Sequence, residues 1–436
     1  MNRFIPADNL TAPLKEIDSQ IWKNKSKRAD KIREEGRSGF SRTGLPSTKI
    51  EEWKYTDLTQ LSKKDFSYEP ELPKSINVST IEKLLPDRIS SCSLVFVNGK
   101  FTEDLSNIPL SGGISIDNIK NIINSGDDSI LKYVEETKKK SDAFTNLNRA
   151  YLNEGTFIRI EKDIDPKFSV HLIFLTVNTG SSGMSHPWNL IIAEEGSNFS
   201  LIEEYTGEPG SVYFTNSLTD IYIKDRASVN HYKIQTESRS SFHVGSLNVR
   251  QGENSSFSSH TATFGGALTR NNISVLMNGS GSTSEIEGIY FLKENQHTDN
   301  HTEIFHNFPS CKSLENFNGV LDDRSRAVFD GKIYVGEGSV HTDSSQSSKS
   351  LMLSDSASVD SKPALEIYAD DVKCSHSASV GQPDSDSLFY MRSRGIGHVE
   401  AMRILTSGFL KEILEKFKNK DVSNKIEILL ESEMKI

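Results

Sequence analysis

The chain has 436 residues, a formal net charge of −10 and 35% hydrophobic residues, with a mean hydropathy of −0.47. A net acidic chain without clustered Lys and Arg argues against a nucleic-acid surface, and no run of 18 consecutive apolar residues offers a membrane span. The length allows about two or three domains, and the low apolar share fits an elongated, surface-rich body better than disorder.

The charge is uneven. Residues 1–64 hold 14 Lys plus Arg against 9 Asp plus Glu, about +5, which leaves about −15 for the remainder. Within this segment residues 14–35 read as a charged helix, with Leu14, Ile17, Ile21 and Trp22 on one stripe and Gly36 as its stop. Its basic part, residues 23–37, is a solvated face or a docking face for an acidic partner. GLPSTKIEEWKYTDL follows at residues 44–58. Pro46 breaks the helix, and Trp53 and Tyr55 alternate as in an edge strand or pack as aromatic anchors.

Short strands and polar helical pieces follow. SLVFVNGKF at residues 93–101 carries an Asn98-Gly99 hairpin turn, and residues 129–140 read as helical. From about residue 154 to 380 the pattern changes to apolar strands separated by acidic or glycine-containing turns and small residues. EEGSNFSLI, KDRASVNHY, QGENSSFSS, GSGSTSEIE, DDRSRAVFD, GEGSVHTDS and SDSASVDSK recur at intervals from about 12 to over 40 residues. Such a degenerate repeat of short strands with few prolines predicts stacked rungs, a parallel β-helix, with a sandwich as the alternative. The expected division is residues 1–150 as a helical and α/β region, 151–380 as a β-helix core and 381–436 as a helical domain.

Residues 296–313 hold His297, His301, His306 and Cys311. On a helix, His297 and His301 would form an i,i+4 metal pair, but the surroundings are strand-like and Asn-rich, so solvated rungs are expected. Further on, Cys374 and His376 stand two apart in LEIYADDVKCSHSASVGQ. In a strand they share one face and Ser375 takes the other. Thiolate and neutral imidazole both suit iron or iron–sulfur chemistry, yet two ligands alone close no site. A buried thiol beside a surface histidine is the plain alternative. After residue 381 the period becomes helical. Asp384 and Ser385 can cap a helix that Gly395 ends, and Val399, Met402, Leu405, Phe409, Ile413, Leu414 and Phe417 then recur at spacings of 3 and 4. These helices could seal the last rung.

Three cysteines, Cys92, Cys311 and Cys374, make no disulfide framework and leave a thiol free, which implies a reducing compartment. The first 25 residues lack a signal-peptide apolar region, so a cytoplasmic location is expected. The chain contains no phosphate loop, nucleophile elbow or H-E-x-x-H, and Gly265-Gly266 is no dinucleotide fingerprint.

LEIYADDVKCSH with LFYMRSRGI, the run SRAVFDGKIYVGEGSVHTDSSQSSKSLMLSDSASVDSKP at residues 325–363, and GLPSTKIEEWKYTDL closely resemble the SufB/SufD family of iron–sulfur cluster assembly scaffolds. The SufD branch is the closer match, because SufB usually carries an acidic, histidine-containing run where this chain reads DVKCSH. The resemblance implies a mainly β fold with a right-handed parallel β-helix core. It also implies a non-enzymatic subunit that pairs with SufB and the ATPase SufC, and that dimerises with itself where SufB is absent. A transient Fe–S cluster would be shared with SufB, with none bound stably by this chain alone. His376, with Cys374 beside it, would stand at the SufB interface and ligate metal together with partner ligands. Leu388, Phe389, Met402 and Phe409 would carry SufC binding. A SufB-type subunit is one alternative and would be expected to hold more cluster-relevant cysteines. A β-helical polysaccharide-active enzyme is another, with Asp322-Asp323 as an acidic pair, though such enzymes are generally secreted.

Overall fold

The protein, described by a computed structural model over residues 3–15, 26–68, 78–109, 112–136 and 142–434, is mainly β: a parallel β-solenoid of about 8 turns. Each turn contributes one strand to each of two facing sheets. The first sheet runs from Thr156–Ile160 through Trp188–Ala193, Tyr213–Ile223, Phe242–Gln251, Leu268–Met277, His297–His306 and Arg326–Val335 to Ser358–Ile367. The second runs from Cys92–Val97 and Val170–Thr176 through Asn198–Gly207, Ser228–Thr236, Ser256–Thr263, Thr283–Leu292, Lys312–Leu321 and Asp343–Met352 to Lys373–Gly381.

The register explains why the repeat looks irregular in sequence. In the second sheet Asn198 pairs with Ser228, Ser256 with Thr283, Lys312 with Asp343 and Asp343 with Lys373, offsets of 30, 27, 31 and 30 residues. One turn therefore takes about thirty residues but contains two corners. The sequence segments come from both: those at 194, 224, 251, 279 and 336 enter the second sheet, those at 322 and 354 the first. At the corner into the second sheet a left-handed residue recurs, as at Arg226, Asn254, Ser310, His341 and Asp371. Gly196 and Gly281 fill the same place at φ 70 and 69. The next residue turns inward and is small or compact: Ser197, Ala227, Ser255, Ser282, Cys311 and Thr342 are all buried. Cys311 is one member of this column, and its thiol donates to the Gly279 carbonyl at 3.3 Å.

Between the sheets one half of each rung is apolar. Leu201, Ile221, Val229, Val249, Phe257, Val275, Ile304 and Val335 belong to a single buried cluster. The other half is polar in the middle turns, where Asn189 Nδ2 and Thr219 Oγ1 donate to Glu203 Oε1 at 2.8 and 2.6 Å. Lys233 Nζ there donates to Asn271 Oδ1 at 2.8 Å, and burial pushes its ammonium down to about 8. Buried charges persist only when paired and hydrogen-bonded, which this cluster of complementary groups provides.

Two layers flank the solenoid. On the N-terminal side the helix Lys27–Thr43 is capped by Ser26, whose hydroxyl accepts from the Ala29 amide. It continues through Gly36, the expected stop, and ends at Gly44 with φ 65. Gly36 is helical because the helix Ala143–Ala150 crosses there: a Cβ would stand 2.6 Å from the Ala150 nitrogen. Most of the stripe expected at residues 14–35 lies outside the described residues. The Asn98-Gly99 turn forms as the sequence predicts, with both residues at positive φ between antiparallel strands.

The C-terminal helices Ser385–Ser393, His398–Leu414 and Lys420–Glu433 do not seal the last rung. The latter two lie across the outer face of the second sheet, where Leu410, Ile413, Phe417, Val422, Ile426 and Leu430 pack on Ile202, Tyr232, Ile234, Ala262, Ile289 and Val320. Two part-buried polar contacts hold them there. Lys425 Nζ reaches Glu204 at 2.7 Å with His171 behind it at 3.0 Å, and Lys416 Nζ reaches Glu287 at 2.9 Å with His260 at 3.2 Å. Their apolar faces are buried along that strip, and residues 375–381 of the last strand stay exposed.

Candidate functional site: the open final rung

The last strand of each sheet pairs on one side only, Ser358–Ile367 with Arg326–Val335 and Lys373–Gly381 with Asp343–Met352. Residues 375–381 are exposed throughout. An uncapped pair of parallel edges is a template for strand addition unless a partner covers it. Pro363, on the first sheet's last strand, withholds one ladder donor there.

Register decides which way the final strand points its side chains. Cys374 lies over Ser344, His376 over Gln346 and Ala378 over Ser348, and those three partners are buried in the solenoid interior. Ser375 and Ser377 lie over Ser345 and Ser347 on the outside and hydrogen-bond to them at 3.4 and 3.2 Å. Cys374 and His376 thus share the inward face, as their spacing predicts. The thiol is half-buried against the interior core, and burial, followed by the charge of Asp343, pushes its pKa up. It is a protonated thiol rather than a ready thiolate. His376 is exposed, because no further rung lies above it.

Beneath His376 runs a column that sequence reasoning missed. Gln346 Nε2 donates to Glu315 Oε2 at 2.6 Å one turn further in, and both residues are buried. Their signal was present only as the thirty-residue offset between Gln346 and His376, which the register reveals. Burial pushes Glu315 up to about 7 against the lowering effect of its hydrogen bonds from Gln346 and Thr302. A carboxyl raised on folding holds a proton in the native state that the unfolded chain has lost. Stability is therefore greatest below the unfolded value of 4.5 and falls as pH rises through about 7, by ~3 kcal/mol at most from this group. Glu315→Gln should remove that fall, checked by urea unfolding midpoints of both proteins between pH 5 and 8. An identical pH dependence in the variant would show that Glu315 titrates normally.

The histidine-rich stretch does not form a metal site. His297 and His301 face outward on the first sheet but are covered rather than solvated: His297 Nε2 lies 3.0 Å from Thr56 Oγ1, and His301 Nδ1 lies 3.8 Å from Asp330. His306 points inward to Ser313 Oγ at 2.9 Å. Burial pushes all three imidazoles down to about 4. The cover over His297 is the motif at residues 44–58. Trp53 packs as an anchor rather than in a strand, 3.9 Å from the Arg270 guanidinium and 5.2 Å from the Phe144 ring, while Thr56 donates to Asp299 at 2.5 Å. Among the described residues no group of three or more His, Cys, Asp or Glu is disposed to hold a metal ion. Asp322 and Asp323 serve a corner, Asp323 accepting from the Glu294 amide at 2.9 Å.

The four residues assigned to the helices separate into two environments. Helix Ser385–Ser393, capped by Asp384 accepting from the Ser387 amide, buries none of its residues. Phe389 on it is 74% exposed, and Tyr390 and Val399 are 59% and 58% exposed. Leu388 and Met402 are half-buried in the same region. Phe409 faces the other way and packs against the sheet-facing cluster, its carbonyl accepting from Asn318 at 2.9 Å. No described helix is long and apolar enough to cross a membrane.

The family model described as SUF system FeS cluster assembly, SufBD core domain, matches residues 175–409, and that for the SufBD protein N-terminal region matches residues 8–171. An iron–sulfur cluster assembly SufBD family protein of Synechocystis is 30% identical over 381 residues, covering 85% of this chain and 84% of the relative. The iron–sulfur cluster assembly protein SufD of Escherichia coli is 29% identical over 394 residues, 88% of each chain. That of Bacillus subtilis is 26% identical over 313 residues, 71% of each.

Proposed function

Because the chain belongs to the SufBD family of iron–sulfur cluster assembly proteins, we propose that it is the SufD-type scaffold subunit of a cytoplasmic complex with SufB and the ATPase SufC. It performs no catalysis of its own and helps build nascent clusters at the SufB interface. The observation that carries this reading is the pair Cys374 and His376 on the inward face of an uncovered rung. A second β-solenoid adding its edge strands there would enclose both side chains in the joint interior and contribute the ligands this chain lacks.

In this role the cluster is cargo. His376 offers an imidazole nitrogen to iron, and Cys374, whose thiol pKa is pushed up by burial, contributes packing or a ligand that must first lose its proton. The apolar surface of exposed Phe389 with half-buried Leu388 and Met402 fits the ATPase, since an unpartnered helix of this kind is stabilised by a docking partner. Phosphate-bond energy then enters through SufC. Without SufB, the same open edges would pair two copies of this chain.

Co-expression of the three subunits, anaerobic copurification and measurement of iron and sulfide test the reading. A stable ternary complex carrying a labile cluster is expected, with no cluster and no nucleotide turnover on this chain alone. A stoichiometric cluster on the isolated monomer, or its failure to associate with SufB, would overturn it.

A further inference from the structure

Gln346 is clamped on three sides. Its amide nitrogen donates to Glu315 at 2.6 Å. Opposite it, Gly331 has no side chain, and a Cβ there would collide with the same nitrogen. Its backbone is held in the ladder between Glu315 and His376. The amide oxygen has no hydrogen-bond partner although the residue is 1% exposed. Buried polar atoms are rarely left so, and the side chain next along this inward column is His376.

A histidine that binds metal through one ring nitrogen commonly donates its other N–H to a carbonyl or carboxylate. That bond fixes the tautomer and the ring direction. We propose that Gln346 is the positioning residue for His376: its free amide oxygen accepts one ring N–H when a partner closes the rung, and the other ring nitrogen is left facing out toward the cluster. Glu315 fixes which end of the amide faces His376, because it takes the NH2 group and leaves the oxygen on the side of the last rung. The inference rests on the reading of His376 as a cluster ligand.

The test is iron and sulfide content of the copurified complex with SufB and SufC, for wild type, Gln346→Met, Gln346→Glu and His376→Ala. Gln346→Met keeps the length and apolar bulk but removes the acceptor, and loading should fall about tenfold with subunit composition unchanged. Gln346→Glu keeps an acceptor oxygen, sharing a proton with Glu315, and should restore most of the loading. A merely packing role would make Glu at least as harmful as Met. Wild-type loading of Gln346→Met beside an empty His376→Ala complex overturns the positioning role alone, as does a failure of Glu to rescue. Wild-type loading by both Met and Ala variants overturns the assignment of His376 itself. Should Gln346→Met not fold, Gln346→Asn retains the amide but shortens its reach and should show the same loss.

Discussion

His376→Ala should abolish cluster assembly while leaving the three-subunit complex intact. The side chain is exposed on the last strand of a ladder, so truncation removes little packing, and the stability change should stay within about 0.5 kcal/mol, as for other surface positions. What it removes is the one imidazole on the inward face of the open rung, and alanine can neither ligate iron nor pass a proton. Iron and sulfide on the copurified complex should drop to background. Cys374→Ser should have a smaller effect, because its thiol is held protonated and half-buried against the interior core. Ser375→Ala is the control on the opposite face, losing only a 3.4 Å contact to Ser345. Full cluster yield from an intact His376→Ala complex would remove His376 from the chemistry, and loss of SufB from that complex would make its role interfacial packing.

Phe389→Asp combined with Met402→Asp should abolish SufC binding and leave the β-rich far-UV spectrum largely intact. Phe389 is 74% exposed on a helix that buries nothing, so a carboxylate there disturbs no internal contact. At the centre of a docking surface, loss of an aromatic anchor is worth about 2 kcal/mol or more, and a desolvated carboxylate adds to it, so affinity should fall at least roughly a hundredfold. Phe409→Asp makes the contrast. That ring lies against the cluster joining helix to sheet, so its replacement should lower the unfolding midpoint as well as weaken binding. Isothermal titration of SufC into each variant, with thermal unfolding alongside, separates the two. Unchanged affinity in the Phe389/Met402 variant would show that SufC docks elsewhere.

Local rules read from the sequence alone determined several features. The two-residue period placed Cys374 and His376 on one strand face and Ser375 on the other. Asn98-Gly99 specified a hairpin because both positions need positive φ. Asp384 started the helix that Gly395 closes, at φ 88. Each depends on a few neighbouring residues, so each is legible without knowing what lies across the fold.

Only the tertiary structure decided the rest. Two corners per turn hid the thirty-residue period until the strands were paired. The column from Glu315 through Gln346 to His376 went unread for the same reason, since its members lie a turn apart in sequence. The outward histidines His297 and His301 carry the same strand pattern whether solvated or covered, and the cover over His297 comes from Thr56, more than two hundred positions earlier. Gly36 reads as a helix stop by propensity, yet the close approach of a second helix makes a side chain impossible there and keeps the helix running. The helices after residue 381 have an apolar face in any reading. Whether that face seals the last rung or lies along the sheet depends on where complementary apolar surface is available, and the outer face of the second sheet provides it. The open rung, and with it the exposure of His376, follows from that competition between two surfaces of the same fold.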